Sequence, residues 1–544
     1  MVLEVKAKIV KMKNMDKRIM MTLLLLLSYM SVIAIGVNVD GIYYNFDKKT
    51  KTASVTFRGK YSHSYLDEYS GEVVIPSSVT YEGIEYSVTQ IGPSAFEGCV
   101  NLTSVTIPNN VKQISSYAFS GCSNISNVIL PSGVARISDG MFDGCKSLIS
   151  VVLPEGVTQI GSKAFSECSR LASLSIPESV TRIENEAFFG CSSLTNILIP
   201  KKVVEIGSSA FERCIGLTSI TLPNGVKSVG DFAFRDCIGL TSIILSDSLT
   251  QLYCGVFYGC KSLTSIILPD DVNCIGSEVF YKCENLTNIT IPDGVEEIGY
   301  SAFEGCKNLT NITMPDSLKW IGDYAFYYCS SLTSLTIPEK VIEIGYSAFE
   351  GCGNVTNVVL SNSLEWIGDG AFSDCVGLSR IVIPESLIEI GYSVFSNCYR
   401  LCEIYNRSGI DNAHITSGAS VKNVYTDDTG ESKIYNVDDY VFYVDGKDIE
   451  LLQYLGKETS IVLPLDYEGK KYKIGKYAFA FNDNLEEVII GSKNITLEKG
   501  VFYGCTKLKK MIIASEEIEV KEKVFEKTLI ETIKIKIDKA YIKC

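Results

Sequence analysis

Nineteen cysteines, two histidines and sixty-four carboxylates are the residues of this 544-residue chain that could bind a metal, supply a thiolate or move a proton. His63 and His414 stand far apart in sequence with no further ligand at metal spacing, so a three-histidine centre is impossible. The cysteines do not fall into C-x-x-C pairs, which leaves a zinc ribbon unsupported. No phosphate-binding G-x-x-x-x-G-K-[ST] loop and no G-x-S-x-G nucleophile elbow is present. The carboxylates sit mostly at outward repeat positions, where a solvated charge is the ordinary role. These absences predict a chain with no catalytic role and no cofactor or metal.

The cysteines follow a different rule. Fourteen of them recur every 23 residues from Cys99 to Cys398, and Cys505 belongs to the same column. Each stands three residues behind a phenylalanine that recurs from Phe96 to Phe395 without a slip. A fixed period in this range, with an apolar strand signature in every unit, marks a repeat solenoid of the leucine-rich-repeat type. A right-handed coil of short parallel strands with β-rich caps is expected. The unit LTSITLPNGVKSVGDFAFRDCIG, residues 217–239, shows the logic. Leu217, Ile220 and Leu222 point inward from a short strand, and Pro223 ends it because it cannot donate to a ladder. Val226 and Val229 supply a second inward side, and Gly230 is expected to turn the chain. Ala233, Phe234 and Cys237 fill the third side. The cysteine column is then a file of small buried apolar side chains. Rungs about 4.8 Å apart would pair into disulfides only with distorted side-chain geometry, so free thiols are expected. Cys254, Cys274, Cys402 and Cys544 lie outside the column, and Cys398 could pair with Cys402 if a turn allows it.

The recurring V-x-x-I-G-x-x-A-F-x-x-C-x-x-L-T-S-I-x-I-P resembles the BspA-like leucine-rich repeat, over roughly residues 90–404 and again 473–537. The resemblance implies a secreted or surface-displayed protein. Some members of that family are described as adhesins that hold host matrix proteins or other microbes.

Composition agrees with export and disfavours two partner classes. The chain carries a net charge of −14; without residues 1–36 it holds 44 Lys/Arg against 62 Asp/Glu, or −18. A surface this acidic argues against nucleic acid and against docking on anionic lipid. Residues 1–36 read as a signal peptide, with Lys11, Lys13, Lys17 and Arg18 ahead of an apolar run and small residues Ala34 and Gly36 at the exit. No membrane insertion is expected beyond that signal.

Residues 37–89 read as an N-terminal β cap and 90–405 as the main array of 14 phenylalanine-registered repeats. The register breaks between Phe395 and Phe479. Residues 406–435, rich in Ser, Gly, Asn and Asp, read as a linker. Residues 436–472 read as a second cap-like β segment, and 473–544 as a second array of three repeats, with Phe479, Phe502 and Phe525. The two caps share a signature: Val74-Ile75-Pro76 before Tyr81-Glu82-Gly83-Ile84-Glu85-Tyr86, and Val462-Leu463-Pro464 before Tyr467-Glu468-Gly469-Lys470-Lys471-Tyr472. A longer period of 46 residues relates SLKWIGDYAF at Ser317 to SLEWIGDGAF at Ser363.

Two outward columns could bind. One, on the strand side, carries Ile129, Val152, Leu198, Ile244, Ile267, Val359 and Val382, beside a column of Ser and Asn. An apolar stripe next to hydroxyls and amides suits protein docking, although β propensity alone also favours such residues. The other reads Glu297, Trp320, Glu343, Trp366, Glu389 on successive rungs, with Tyr300, Tyr346 and Tyr392 three positions on. Regular aromatics beside carboxylates could stack sugar rings or grip a peptide. The sequence therefore predicts an exported, adhesin-like binding protein whose partner is an extracellular protein or glycoprotein. Docking on the strand face is favoured, with glycan binding on the Trp320/Trp366 ladder as the alternative.

Overall fold

The structure is a computed structural model that describes residues 36–59, 68–419, 421–426, 432–491, 494–514 and 517–535. Residues 1–35 of the segment expected as a signal peptide, 1–36, lie outside the described residues, as do His63 and Cys544.

Each repeat makes one turn of a three-sided coil. On the first side, strands such as Ser219–Thr221 and Ser242–Ile244 pair in parallel, with Ile220 opposite Ile243. On the second, two-residue strands such as Glu205–Ile206 and Ser228–Val229 pair in the same sense. The third side, carrying A-F-x-x-C, forms no strand, yet its backbone is laddered. Phe211 donates its N–H to Ala233 O at 2.8 Å, and Arg213 donates to Arg235 O at 2.8 Å. Two residues per turn adopt left-handed backbone here, for example Ser209 (φ 54°) and Arg213 (φ 60°). These reversals let a third side only a few residues long close the turn.

Gly230 works differently from the expectation. Its φ is not left-handed; a Cβ there would stand 2.5 Å from the backbone N of Ser208 on the preceding turn. The same approach recurs at Gly207, Gly345 and Gly391. Glycine in the I-G pair thus serves close rung-to-rung contact at these turns rather than turning, while turns with Ser115, Ser138, Glu184 or Tyr253 at that place accommodate a side chain.

The interior follows the inward positions. Leu217, Ile220, Leu222, Val226, Val229, Ala233, Phe234 and Cys237 are all buried. From Phe96 to Phe395 the phenyl rings form one unbroken stack, centroids 5.1–6.0 Å apart and planes within 17° of each other. From Cys122 on, each column thiol donates to the carbonyl of the phenylalanine one turn back, as Cys122 Sγ does to Phe96 O at 3.0 Å and Cys214 Sγ to Phe188 O at 3.2 Å. The column is therefore more than filler: a small apolar side chain also supplies one weak donor to a buried carbonyl. All described cysteines are free. Cys398 bonds to Phe372 O at 3.1 Å, while Cys402 packs with Val441, Tyr443 and Leu452, so the pair that their spacing allows does not form.

Both caps are built alike. In the first, the strands Ile42–Asp47, Thr52–Thr56 and Ile84–Ile91 form a sheet that passes into the array when Ile84–Ile91 pairs with Gln113–Ile114. In the second, Tyr440–Asp445 and Asp448–Tyr454 form a hairpin, and the latter pairs with Lys473–Ile474. The shared Y-E-G signature is a two-residue hairpin turn in each. Glu82 (φ 51°) with Gly83 (φ 75°), and Glu468 (φ 50°) with Gly469 (φ 77°), give the left-handed pair that such turns need. The shared V-hydrophobic-P segment pairs with the first strand of each array: Gly71–Val74 with Leu102–Thr106, and Ser460–Val462 with Glu487–Ile490. A tyrosine covers the end of each phenylalanine stack, Tyr69 on Phe96 at 4.7 Å and Tyr454 on Phe479 at 5.7 Å.

The segment expected as a linker is partly regular structure. Its strand Asn423–Tyr425 extends the first side by pairing with Glu403–Asn406, and a short helix, Asn412–Ile415, closes the second side. His414 on that helix bonds to Ile390 O at 2.7 Å and packs edge-on against Tyr392. Beyond it the apolar interior becomes a second, separate core around Phe479 and Phe502. The second array lies back along the end of the first: Tyr477 stacks on Tyr399 with centroids 4.6 Å apart, and Gly353 faces Phe481.

Candidate functional site

The strand-side column is open to solvent over most of its length. Ile267 is 87% exposed, Leu198 80%, Ile129 71%, Ile244 63%, Val152 58% and Val359 47%. Each sits between two inward residues, as Ile267 does between buried Ile266 and Leu268, so burying it would pull its neighbours out of the core. Asn127, Ser150, Ser173, Asn196, Ser219 and Ser242 run beside it, also exposed. Where small Ser175 interrupts the aliphatic run between Val152 and Leu198, the face dips into a depression of about 500 Å³. Val382 stands apart. It pairs with buried Tyr405 on the next strand, whose ring lies under Arg380, and is only partly exposed. Sequence periodicity could not show this, because the added strand Glu403–Asn406 ends differently from the repeats.

The second-side ladder is in register. Glu297 pairs with Trp320, Trp320 with Glu343, Glu343 with Trp366, and Trp366 with Glu389. Tyr300, Tyr346 and Tyr392 are exposed beside it, whereas both tryptophans are partly covered. Tyr346 meets Trp366 edge-on with centroids 5.2 Å apart. Lys319 Nζ lies 5.5 Å from the Trp320 ring while pairing with Glu296 at 2.8 Å. Aromatics thus zigzag between two columns, Tyr300, Trp320, Tyr346, Trp366, Tyr392. The intervening places in the tyrosine column are Asp323 and Asp369, which sequence reading passed over. Their carboxylates accept the backbone N–H of Tyr346 at 2.8 Å and of Tyr392 at 2.7 Å, fixing the tyrosines from the rung before. The signal was present as alternation at a 46-residue period.

Groups able to do chemistry are scattered or sealed. No cluster of three His, Cys, Asp or Glu among the described residues could hold a metal ion. Burial pushes column thiols such as Cys145, Cys237 and Cys398 up, and Cys505 to about 12, so these are not thiolates at neutral pH. Cys274 is the exposed exception, and desolvation followed by the neighbouring Glu297 carboxylate raises it as well. Among the described residues no helix is long and apolar enough to cross a membrane.

A three-sided coil of 23-residue turns with a phenylalanine spine, capped by β hairpins and presenting two long outward ladders, is a leucine-rich-repeat binding solenoid. The chain belongs to the BspA type leucine rich repeat family, whose model matches residues 76–195, 181–310, 297–419 and 468–543. Among solved structures it is similar to a leucine-rich repeat protein from Bacteroides ovatus ATCC 8483, at 29% identity over 72% of this chain and 90% of that one, TM-score 0.45. It is also similar to a leucine rich cell surface protein from Faecalibacterium prausnitzii A2-165, at 28% identity over 52% of this chain and 94% of that one, TM-score 0.31. The leucine rich repeat protein of T. pallidum matches at 26% identity over 46% of this chain and 90% of that one, TM-score 0.28. No curated protein matches the chain.

Proposed function

We propose that this protein is an exported, adhesin-like binding protein that docks an extracellular protein of a host or neighbouring cell on the strand side of its main array. The observation that carries the reading is the file of exposed aliphatic side chains on a rigid sheet. Ile129 with Val152 and Ile244 with Ile267 stand exposed on adjacent rungs, in a column whose other places include Ser175, Thr221, Thr290, Thr313 and Thr336, and such exposed apolar patches mark protein docking sites. The flanking Ser and Asn columns supply the polar rim, and the depression at Ser175 offers a seat for one anchoring side chain of the partner. Export is supported by the cell-surface description of the Faecalibacterium relative and by the signal-like residues 1–36. Binding rather than catalysis is supported by the scattered placement of titratable groups.

Glycan binding on the Trp320/Trp366 ladder is the second reading, favoured by the regular alternation of rings and carboxylates. It ranks lower because Trp366 is already braced by Tyr346 and Trp320 by Lys319. The two readings separate by mutation. With a bound partner identified from immobilised extracellular glycoproteins, Ile244→Lys and Ile267→Lys should each weaken binding at least tenfold, while Trp320→Ala and Trp366→Ala leave it unchanged. The reverse pattern would transfer the function to the ladder.

A further inference from the structure

The return of the second array along the first creates a cleft of about 410 Å³ that neither array forms alone. Tyr328 stands on its main-array side, Phe481 and Tyr503 on the other. Tyr328 and Phe481 are both exposed, and Phe481 meets Tyr503 edge-on at 5.4 Å. Gly351 and Gly353 line the main-array wall and leave the volume open: a Cβ at Gly353 would lie 3.5 Å from Val376 and 3.7 Å from Phe481. A junction between two folded units is a common place for a small-molecule site, and rings with a few polar groups are its common lining.

The polar lining selects the ligand. Two carboxylates face the cleft, Asp374 and Asp483, each steadied by its own array. Asn397 Nδ2 donates to Asp374 Oδ2 at 3.3 Å, and Thr506 Oγ1 donates to Asp483 Oδ1 at 2.7 Å. Two cations also line it, Lys523 and Lys527. The charges balance, so neither a cation nor an anion is preferred. The ring faces that would attract a cation are already used: Lys527 Nζ lies 5.0 Å from the Tyr503 ring, and Lys476 and Lys499 lie 5.8 and 5.9 Å from Tyr399. What suits aromatic walls, paired carboxylate acceptors and ammonium donors at zero net charge is a neutral polyol with one apolar face. We infer that the cleft between the two arrays is a binding site for a neutral pyranose unit of a saccharide. Its C–H face would lie on the Tyr328 and Phe481 rings, and its hydroxyls would donate to Asp374 and Asp483 and accept from Lys527, which Tyr503 holds at the edge of the cleft.

This site is separate from both the strand face and the Trp320/Trp366 ladder. It is tested by calorimetric titration of the chain from Val37 with glucose, galactose, mannose, N-acetylglucosamine and cellobiose. At least one should bind at one site per chain with Kd on the order of 1 mM, as befits so small a ligand. Phe481→Ala should weaken that binding at least tenfold, Asp483→Asn about tenfold, and Gly353→Leu should abolish it by filling the cleft. Circular dichroism and urea midpoints show whether each variant keeps its fold. Trp320→Ala with Trp366→Ala should leave affinity within twofold. Absence of saturable binding to every sugar overturns the inference, as does binding that survives both Phe481→Ala and Gly353→Leu in folded protein. Loss of binding in the tryptophan double variant would move the sugar to the ladder and also overturn it.

Discussion

At the scale of single residues the coil depends on two columns. Phe234 is fully buried between Phe211 and Phe257, at 5.4 and 5.9 Å. Phe234→Ala should destabilise the main array by about 3–5 kcal/mol, since neighbouring turns cannot collapse into the void; urea denaturation monitored by circular dichroism measures it. The cysteine column makes a chemical prediction. In native protein, iodoacetamide should modify Cys274 readily and Cys254 slowly while the column stays untouched, as peptide mapping would show. A pH dependence follows with a definite sign. Thiols in the unfolded chain ionise near pH ~8.5, whereas burial raises column thiols such as Cys145, Cys237 and Cys398 in the folded chain, with Cys505 pushed up to about 12. The unfolded state therefore loses protons first, and stability falls as pH rises above about 8.5, by up to ~1.4 kcal/mol per thiol per pH unit. The urea midpoint in reducing buffer should drop sharply between pH 7.5 and 9.5. The residue columns were fully legible in the sequence, because period and residue type repeat together. The role of Gly230 was not, because closeness to Ser208 N depends on the neighbouring turn and not on its own turn.

At the scale of elements, the two ladders differ in what supports them. Ile267 stands 87% exposed, so Ile267→Lys should change stability by no more than about 0.5 kcal/mol while removing binding. Val382→Lys should cost more, because Val382 is half-covered where its strand pairs with Glu403–Asn406. The Y-E-G signature was expected to open each array as a cap; that Glu82-Gly83 and Glu468-Gly469 form left-handed two-residue turns is seen only in the structure. The helix Asn412–Ile415 was not: its composition is that of a loop, and it is held by tertiary contacts of His414 with Ile390 O and Tyr392. Asp323 and Asp369 escaped notice for a related reason, as their partners are backbone groups one rung away.

At the scale of the whole molecule, one sequence feature gave no warning of the folded-back second array. A broken register says that a new array starts, not where it lies. The join is set by Tyr399 on Tyr477 and by buried Arg400, whose guanidinium donates to the Tyr477 carbonyl. Burial pulls the Arg400 guanidinium down to about 9, and it makes no ion pair among the described residues. Tyr477 O also accepts from Ala480 N, so removing the arginine leaves that carbonyl satisfied. Arg400→Met should accordingly be neutral or stabilising by about 1–3 kcal/mol. Tyr477→Ala, which removes the stack, should loosen the second array, visible as a larger radius of gyration in small-angle scattering.

The proposed function rests on docking of a protein at the strand side of the main array. The most direct measurement is binding of the chain from Val37 to immobilised extracellular glycoproteins, each tested intact and after enzymatic removal of its sugars, with wild-type protein and Ile267→Lys side by side. Binding should survive deglycosylation and be lost with Ile267→Lys. Binding that disappears with the sugars and is indifferent to Ile267→Lys would contradict the proposed function.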